Sequence, residues 1–414
     1  MKVLQVSQNL FVKGGSDRMF LDTCALLEQH GHTVIPFVAQ HADNPPSPWD
    51  AYFPPAANFD QPGAADLLRY VYSRSAAISL RKLIRKHRPD VAHLHIYYGK
   101  LTASILPVLK AQGVPVVHTM HEYRQISPNY TLTLNDKIDE DCCSMNAWRA
   151  VVRRFNRGSL SRSALATFEW YISRMIGSQR SIDRFIAISD FQKRKMAEHG
   201  VPEEKISRVY NFIELGDAME IRTPSQGNTT SGGEGGYLLY FGRVERIKGV
   251  LTLAEAAAGL PDVTVKIVGD GDAKGELAEM IRERGITNVE LIGFTHGDDL
   301  KRLIRNSLAT VLPAQWYEPF GLTVLESFAQ GRPVIASRMG ALPELIDEGE
   351  DGLIFEPGDA AGLRKHIEVL HADPARTDTM GQAGRAKLVE HFGPKTHYHE
   401  LMRVYQEAGA SWEG

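Results

Sequence analysis

Cysteine is scarce in this chain: three residues in 414, Cys24 alone and Cys142 beside Cys143. An odd count without framework spacing excludes a disulfide-stapled secreted scaffold and fits a reducing compartment. Long apolar runs are missing too, and none approaches the roughly 18–20 residues that span a bilayer. The opening "MKVLQVSQNL" lacks the apolar core of a leader peptide and reads as a first β-strand, so a cytoplasmic protein is expected. Neither sign of charge dominates: 47 Lys and Arg against 50 Asp and Glu leave a net charge of −3. Such a balance offers no general attraction for nucleic acid, and none is expected as a partner. The remainder, 43% hydrophobic and 23% charged, is that of an ordinary folded protein. Its length suits two domains of about 200 residues better than one core.

What is present in quantity is the short β-branched run. The first half has "VLQVS" (3–7), "TVIPFVA" (33–39), "DVAHLH" (90–95), "VPVVHT" (114–119) and "RFIAIS" (184–189). The second half has "YLLYFG" (237–242), "VTVKIVG" (263–269), "VELIG" (289–293), "ATVLP" (309–313) and "PVIAS" (333–337). Near-continuous apolar strands are buried on both faces, and their alternation with helical segments predicts doubly wound α/β domains. The Gly/Ser/Thr-rich stretch 223–236 has no apolar periodicity and reads as a linker. The expected layout is a Rossmann-like domain over 1–212, a linker over 213–236 and a second such domain over 237–392. A terminal helix over 393–414, with no strand after it, is expected to cross back to the first domain. Ligands of open α/β sheets bind at the carboxyl ends of strands, so the candidate site lies in a cleft fed by both halves.

The candidate site residues therefore stand at strand ends. Gly14-Gly15 stands between the first strand and a helix, where backbone N–H groups and the helix dipole favour an anion. In "YFGRVERIKGV", Arg243 and Lys248 follow a strand end at Gly242, and a guanidinium fork with a nearby ammonium suits a diphosphate. In "QWYEPFGLTVLESFAQ", Glu318 precedes a proline that biases it to an extended conformation at a strand end. The turn Phe320-Gly321-Leu322-Thr323 then opens a helix whose N–H groups add to the cradle. Glu326 sits one turn into that helix. A carboxylate there is an acceptor suited to paired hydroxyls, as on a ribose. His121, just past the strand 114–119, is a candidate for the same cleft, whereas His118 lies inside the strand and reads as structural. Asp270 and Asp272 form a D-x-D, but no third carboxylate stands nearby to hold a divalent cation, and no metal is expected. Residues 148–184 carry many arginines and several large apolar side chains. They read as amphipathic helices, packed on a core or facing anionic lipid.

The E-P-F-G-L-T-V-L-E stretch, with G-R…K-G and the N-terminal G-G turn, resembles the retaining GT-B glycosyltransferases of family 4. The resemblance extends to "GDGD", "RPVIASRMGALPELI" and "EDGLIFEPGD", in the family's order. "HEYRQISPNY", "RRFNRGSLSRSA" and "FIAISDFQKRKM" look like a subgroup that builds bacterial surface polysaccharides. The resemblance implies that Glu318 meets hydroxyls of the donor sugar and Glu326 those of the ribose. Arg243 and Lys248 would take the diphosphate, Gly15 would border phosphates or acceptor, and His121 would approach the transferred sugar. It also implies a nucleotide-sugar donor, a glycan or lipid-linked acceptor, retention at the anomeric carbon and no metal cofactor. Members of the subgroup carry further spaced cysteines near 142–155, where this chain has Phe155. A nucleotide-sugar epimerase of like architecture, or an inactive nucleotide-sugar-binding subunit, would share the layout. A glycosidase would need two carboxylates flanking one bond, which a pair beside phosphate ligands does not provide.

Overall fold

A computed structural model describes residues 1–57, 63–214 and 236–411. The proposed linker 223–236 lies outside the described residues except for Gly236. Contacts divide the chain into two units. One comprises Met1–Leu132, Asp139–Asn211 and Lys395–Gly414; the other comprises Thr133–Ile138 and Phe212–Pro394.

The first unit is built on a parallel sheet of six strands: β1 (Lys2–Val6), β2 (Thr33–Phe37), β3 (Val91–Leu94), β4 (Val116–Met120), β7 (Arg184–Ala187) and β8 (Ile206–Arg208). They lie in the order β2-β1-β3-β4-β7-β8. Between β4 and β7 the chain forms a small antiparallel hairpin of β5 (Thr133–Leu134) and β6 (Lys137–Ile138). Gln5 is in register with His93, and His93 with Val117. Because side chains alternate, Val3, Val91 and Val117 share a face with Gln5, His93 and Thr119 further along the strands. That face changes from apolar to polar toward its carboxyl ends. The terminal helix Pro394–Glu407 buries Leu401, Val404 and Tyr405 in one cluster with Val3, Val91, Val117 and Leu27. Its placement in the first unit follows from this stripe, and His397 Nδ1 adds a 2.7 Å hydrogen bond to the Tyr210 carbonyl.

The second unit repeats the plan with β9 (Leu238–Phe241), β10 (Val265–Val268), β11 (Val289–Gly293), β12 (Ala309–Leu312), β13 (Val334–Ser337) and β14 (Gly352–Phe355). Their order is β11-β10-β9-β12-β13-β14, again all parallel. Burial on both faces holds for β9, β12, β13 and β14 but not for β11, where Leu291 and Ile292 are exposed. The reason is position: β11 is an edge strand, and the helix that follows it, Gly297–Asn306, buries only Ile304. Strands β8 and β14 were not separately expected; each is a short edge strand paired on one side only.

Candidate active site

The end of β12 leads through Pro313 to Trp316 and Glu318, and the helix Leu322–Ala329 begins four residues later. Gly321 caps that helix with φ +112°, in the left-handed region that excludes most side chains. Val324, Leu325, Phe328 and Ala329 face the core, while Leu322, Thr323 and Glu326 stay partly exposed on the opposite face. Thr323 and Glu326, three apart, are therefore neighbours on the open side. Ser327 pins the helix to the sheet, donating to Thr323 O at 2.6 Å and lying 2.7 Å from Thr310 Oγ1.

Glu318 is held from two directions. Its Oε2 accepts from Lys248 Nζ at 2.7 Å and from Trp316 Nε1 at 2.9 Å. The lysine also lies 4.6 Å from the centre of the Trp316 ring, a cation–π geometry. Both charged side chains are more than four-fifths buried, so the pair is screened less than a surface salt bridge. The Glu318 backbone is fixed as well. Ala341 N donates to Glu318 O at 2.9 Å, and a Cβ on Gly340 would lie 2.4 Å from Glu318 N, so only glycine lets the two backbones pass this closely. Arg243, just past Gly242, is 61% exposed and pairs with Glu245 at 2.7 Å. The structure thus brings Lys248 and Glu318 together directly. Arg243 stands at the end of the neighbouring strand β9.

The ring of Phe320 is 2% exposed and packs edge-on against Phe392. An aromatic ring following Pro319 is drawn into the core, and only its backbone is left for binding.

In the first unit, Gly14 is the N-cap of the helix Gly15–Gln29 and Gly15 its first residue. Gly14 is extended, and a Cβ there would meet nothing within 4 Å, so internal packing does not demand glycine. The preceding loop is tied down by Asp17, which accepts from Lys13 N at 3.2 Å and Asn9 Nδ2 at 3.3 Å. Lys100 Nζ donates to Asn9 Oδ1 at 2.6 Å, adding a cation close to this loop.

His121 directly follows β4 and is partly exposed; burial holds its imidazole down at about 4, so the ring is neutral near pH 7. Its Nε2 lies 2.8 Å from His95 Nδ1. His118 is fully enclosed, with Nε2 at 3.1 Å from the His95 carbonyl and Nδ1 at 3.1 Å from Gln125. Sequence reading missed His95, although "HLH" at a strand end was its signal. It also missed Glu122, whose partly buried carboxyl is pushed up to about 7 by desolvation, against the opposing pull of Arg124.

Asp270 of the D-x-D is bonded to Gly271 N at 2.8 Å and to Lys274 at 3.3 Å, both within its own turn. Among the described residues, Glu140, Glu198 and His199 have donor atoms grouped as for a metal. There, however, Lys195 Nζ already sits 2.9 Å from Glu140 and 3.0 Å from Glu198, supplying the positive charge. Cys142 and Cys143 are free and buried, and burial raises both thiols, to about 11 and about 12.

Two Rossmann-like units of parallel sheet, with ionisable side chains gathered at strand ends, define a protein of the GT-B class. Two family descriptions match it: "Glycosyltransferase Family 4" over residues 13–217 and "Glycosyl transferases group 1" over 223–387. The chain belongs to the family-4 glycosyltransferases. It is 28% identical over 342 residues to glycogen synthase of Mycobacterium tuberculosis, covering 80% of this chain and 73% of that protein. Over 155 residues it is 31% identical to the lipopolysaccharide core biosynthesis glycosyltransferase LpsE of Rhizobium meliloti, covering 37% of this chain and 45% of LpsE. In fold it is similar to HepE of Anabaena, solved in complex with UDP and glucose, with a TM-score of 0.66 and 20% identity over 98% of this chain and 99% of the other.

Proposed function

We propose that the protein is a retaining glycosyltransferase that moves a sugar from a nucleotide-diphosphate donor to a glycan or lipid-linked acceptor in building a bacterial surface polysaccharide. The observation that carries this reading is Glu318, fixed by Lys248 and Trp316 at the mouth of a helix N-terminus. A carboxylate with one oxygen committed to a lysine keeps the other for sugar hydroxyls, and the lysine lies where a leaving diphosphate gains from positive charge. Arg243 and the helix start add to that charge, so the donor phosphates are neutralised by protein groups without a metal ion. Glu326, on the open face with Thr323, takes the ribose. His121, neutral, meets the transferred sugar. The LpsE name and the UDP in HepE point the same way for acceptor class and donor. An epimerase would turn over its nucleotide sugar without any acceptor. A thermal-shift panel of nucleoside diphosphates and nucleotide sugars tests the donor reading, because a ligand that binds the native state raises its stability by mass action. One base and one sugar should stand out; a flat panel would contradict the proposal.

The lipid-linked acceptor is supported by the surface of 148–184. That segment contains two helices, Arg149–Val152 and Leu160–Ile176, of which the second turns Ser163, Thr167, Glu169 and Ser173 inward. Glu169 is engaged there by Arg124. Leu160, Phe168 and Met175 lie together on its outer stripe and are more than half exposed, as are Met145, Trp148 and Val152 before it. Exposed apolar side chains in one segment with the exposed Arg154 and Arg157 fit anionic headgroups at the cytoplasmic face of a membrane. Arg153 does not count with these arginines, since it bridges Asp139 and Asp141. Among the described residues no helix is long and apolar enough to cross a membrane, so the contact would be peripheral. Co-sedimentation with anionic vesicles should fall in Phe168→Ser and in the double variant Arg154→Gln, Arg157→Gln. Equal pelleting of both with wild type would remove the membrane from the account.

A further inference from the structure

The polar end of the first sheet holds more hydrogen-bonding side chains than packing requires. Gln5, His93, His95 and Thr119 are all buried, and each would cost desolvation unless bonded. They form one chain that ends on His121. His121 Nε2 is 2.8 Å from His95 Nδ1, and His95 Nε2 is 3.1 Å from Gln5 Oε1. Gln5 Nε2 lies 3.4 Å from Tyr405 Oη, which is 2.8 Å from His93 Nδ1; His93 Nε2 is 2.7 Å from Thr119 Oγ1. Phe20 packs edge-on to His95, with ring centres 5.3 Å apart, and closes one side of the chain.

We propose that His95, oriented by Gln5, is a positioning residue that sets the tautomer and ring angle of His121. A neutral imidazole has one N–H, so fixing it at one ring fixes it along the chain. Gln5 Oε1 can only accept, so His95 donates from Nε2 and its Nδ1 is bare. His121 must then donate from Nε2, leaving Nδ1 as an open acceptor for a hydroxyl. With the Gln5 amide in this orientation the rest of the network is satisfied too. Gln5 donates to Tyr405 Oη, Tyr405 to His93 Nδ1, and His93 Nε2 to Thr119, with each hydrogen used once. Burial keeps His93 and His95 well below the usual imidazole range, so both rings stay neutral. The logic is that of the third member of a catalytic triad, which acts only through the ring it orients. The catalytic consequence rests on the proposed contact of His121 with the transferred sugar; the tautomer does not.

Nitrogen-15 imidazole spectra of the full chain test the assignment, in wild type and in His95→Phe and Gln5→Met. Wild-type His121 should show the Nε2–H form alone, and both variants a mixture. The variants should lose about 10–100-fold in kcat, the cost found where a partner that orients a metal-bound histidine is removed, while the donor KM holds. His95→Gln, whose amide oxygen again accepts from His121, should recover part of the rate. If His95→Phe fails to fold, Gln5→Met, which leaves both rings in place, carries the test. His121 protonated on Nδ1 in wild type, or an unchanged spectrum in the variants, overturns the proposal. A changed spectrum with undiminished kcat leaves the relay in place, but removes its catalytic role and the sugar contact of His121 together.

Discussion

Glu318→Ala is expected to lower sugar transfer about 10²–10³-fold, the range seen when one preorganised polar contact to a transition state is removed. Affinity for the free nucleoside diphosphate should change far less. Glu318 binds Lys248 with Oε2, and in the proposed function its remaining acceptor capacity serves a sugar rather than a phosphate, which would repel it. Loss of the carboxylate removes the sugar clamp and frees the lysine for phosphate oxygens. The nucleoside diphosphate should therefore bind about as well as before. Steady-state kinetics with calorimetry of the nucleoside diphosphate separates the two effects. Equal losses in transfer and nucleotide binding would move Glu318 from the sugar to the nucleotide.

Lys248→Ala should have the opposite profile, weakening the nucleoside diphosphate as well as the nucleotide sugar. It also leaves a mostly buried carboxylate without its cation. Removing one partner of a buried ion pair costs about 3–5 kcal/mol of folding stability, and the residual exposure of this pair puts the loss at the lower end. A fall in melting temperature together with weaker diphosphate binding is the expected result. Wild-type diphosphate affinity would take Lys248 out of the donor site, whatever the stability change. Arg243→Ala should weaken diphosphate binding without a comparable stability loss, since Arg243 is exposed and its partner Glu245 lies two residues away.

The strands were legible because a parallel sheet covered on both faces writes itself as runs such as "VLQVS" and "PVIAS". The exposure of β11 was not, since "VELIG" has the same composition as a central strand and only topology puts it at an edge. The same limit applies at the site. Glu318, Lys248 and His121 could be picked out individually from strand ends and glycines. That Lys248 reaches across 70 residues to bond Glu318 is a property of adjacent strands β9 and β12. Trp316 gave no separate signal, because an aromatic residue near a strand end is usually core. The relay behind His121 was hidden more deeply: its members come from positions 5, 95 and 405, which only the strand order and the terminal helix bring together. In the segment 148–184, composition shows the arginines but not their partners: Arg153 is bridged to Asp139 and Asp141, which precede the segment in sequence.

The central claim is that Glu318 and Lys248 act as one unit on the sugar diphosphate. A double-mutant cycle over Lys248→Ala and Glu318→Ala, read by calorimetric binding of the intact nucleotide sugar and of its nucleoside diphosphate, tests it most directly. Contacting groups that share a ligand are non-additive, by about 0.5–3 kcal/mol. The account predicts clear coupling for the nucleotide sugar, with the Glu318 contribution vanishing for the nucleoside diphosphate. Additive effects on both ligands, or a Glu318 contribution equal for the two, would contradict it.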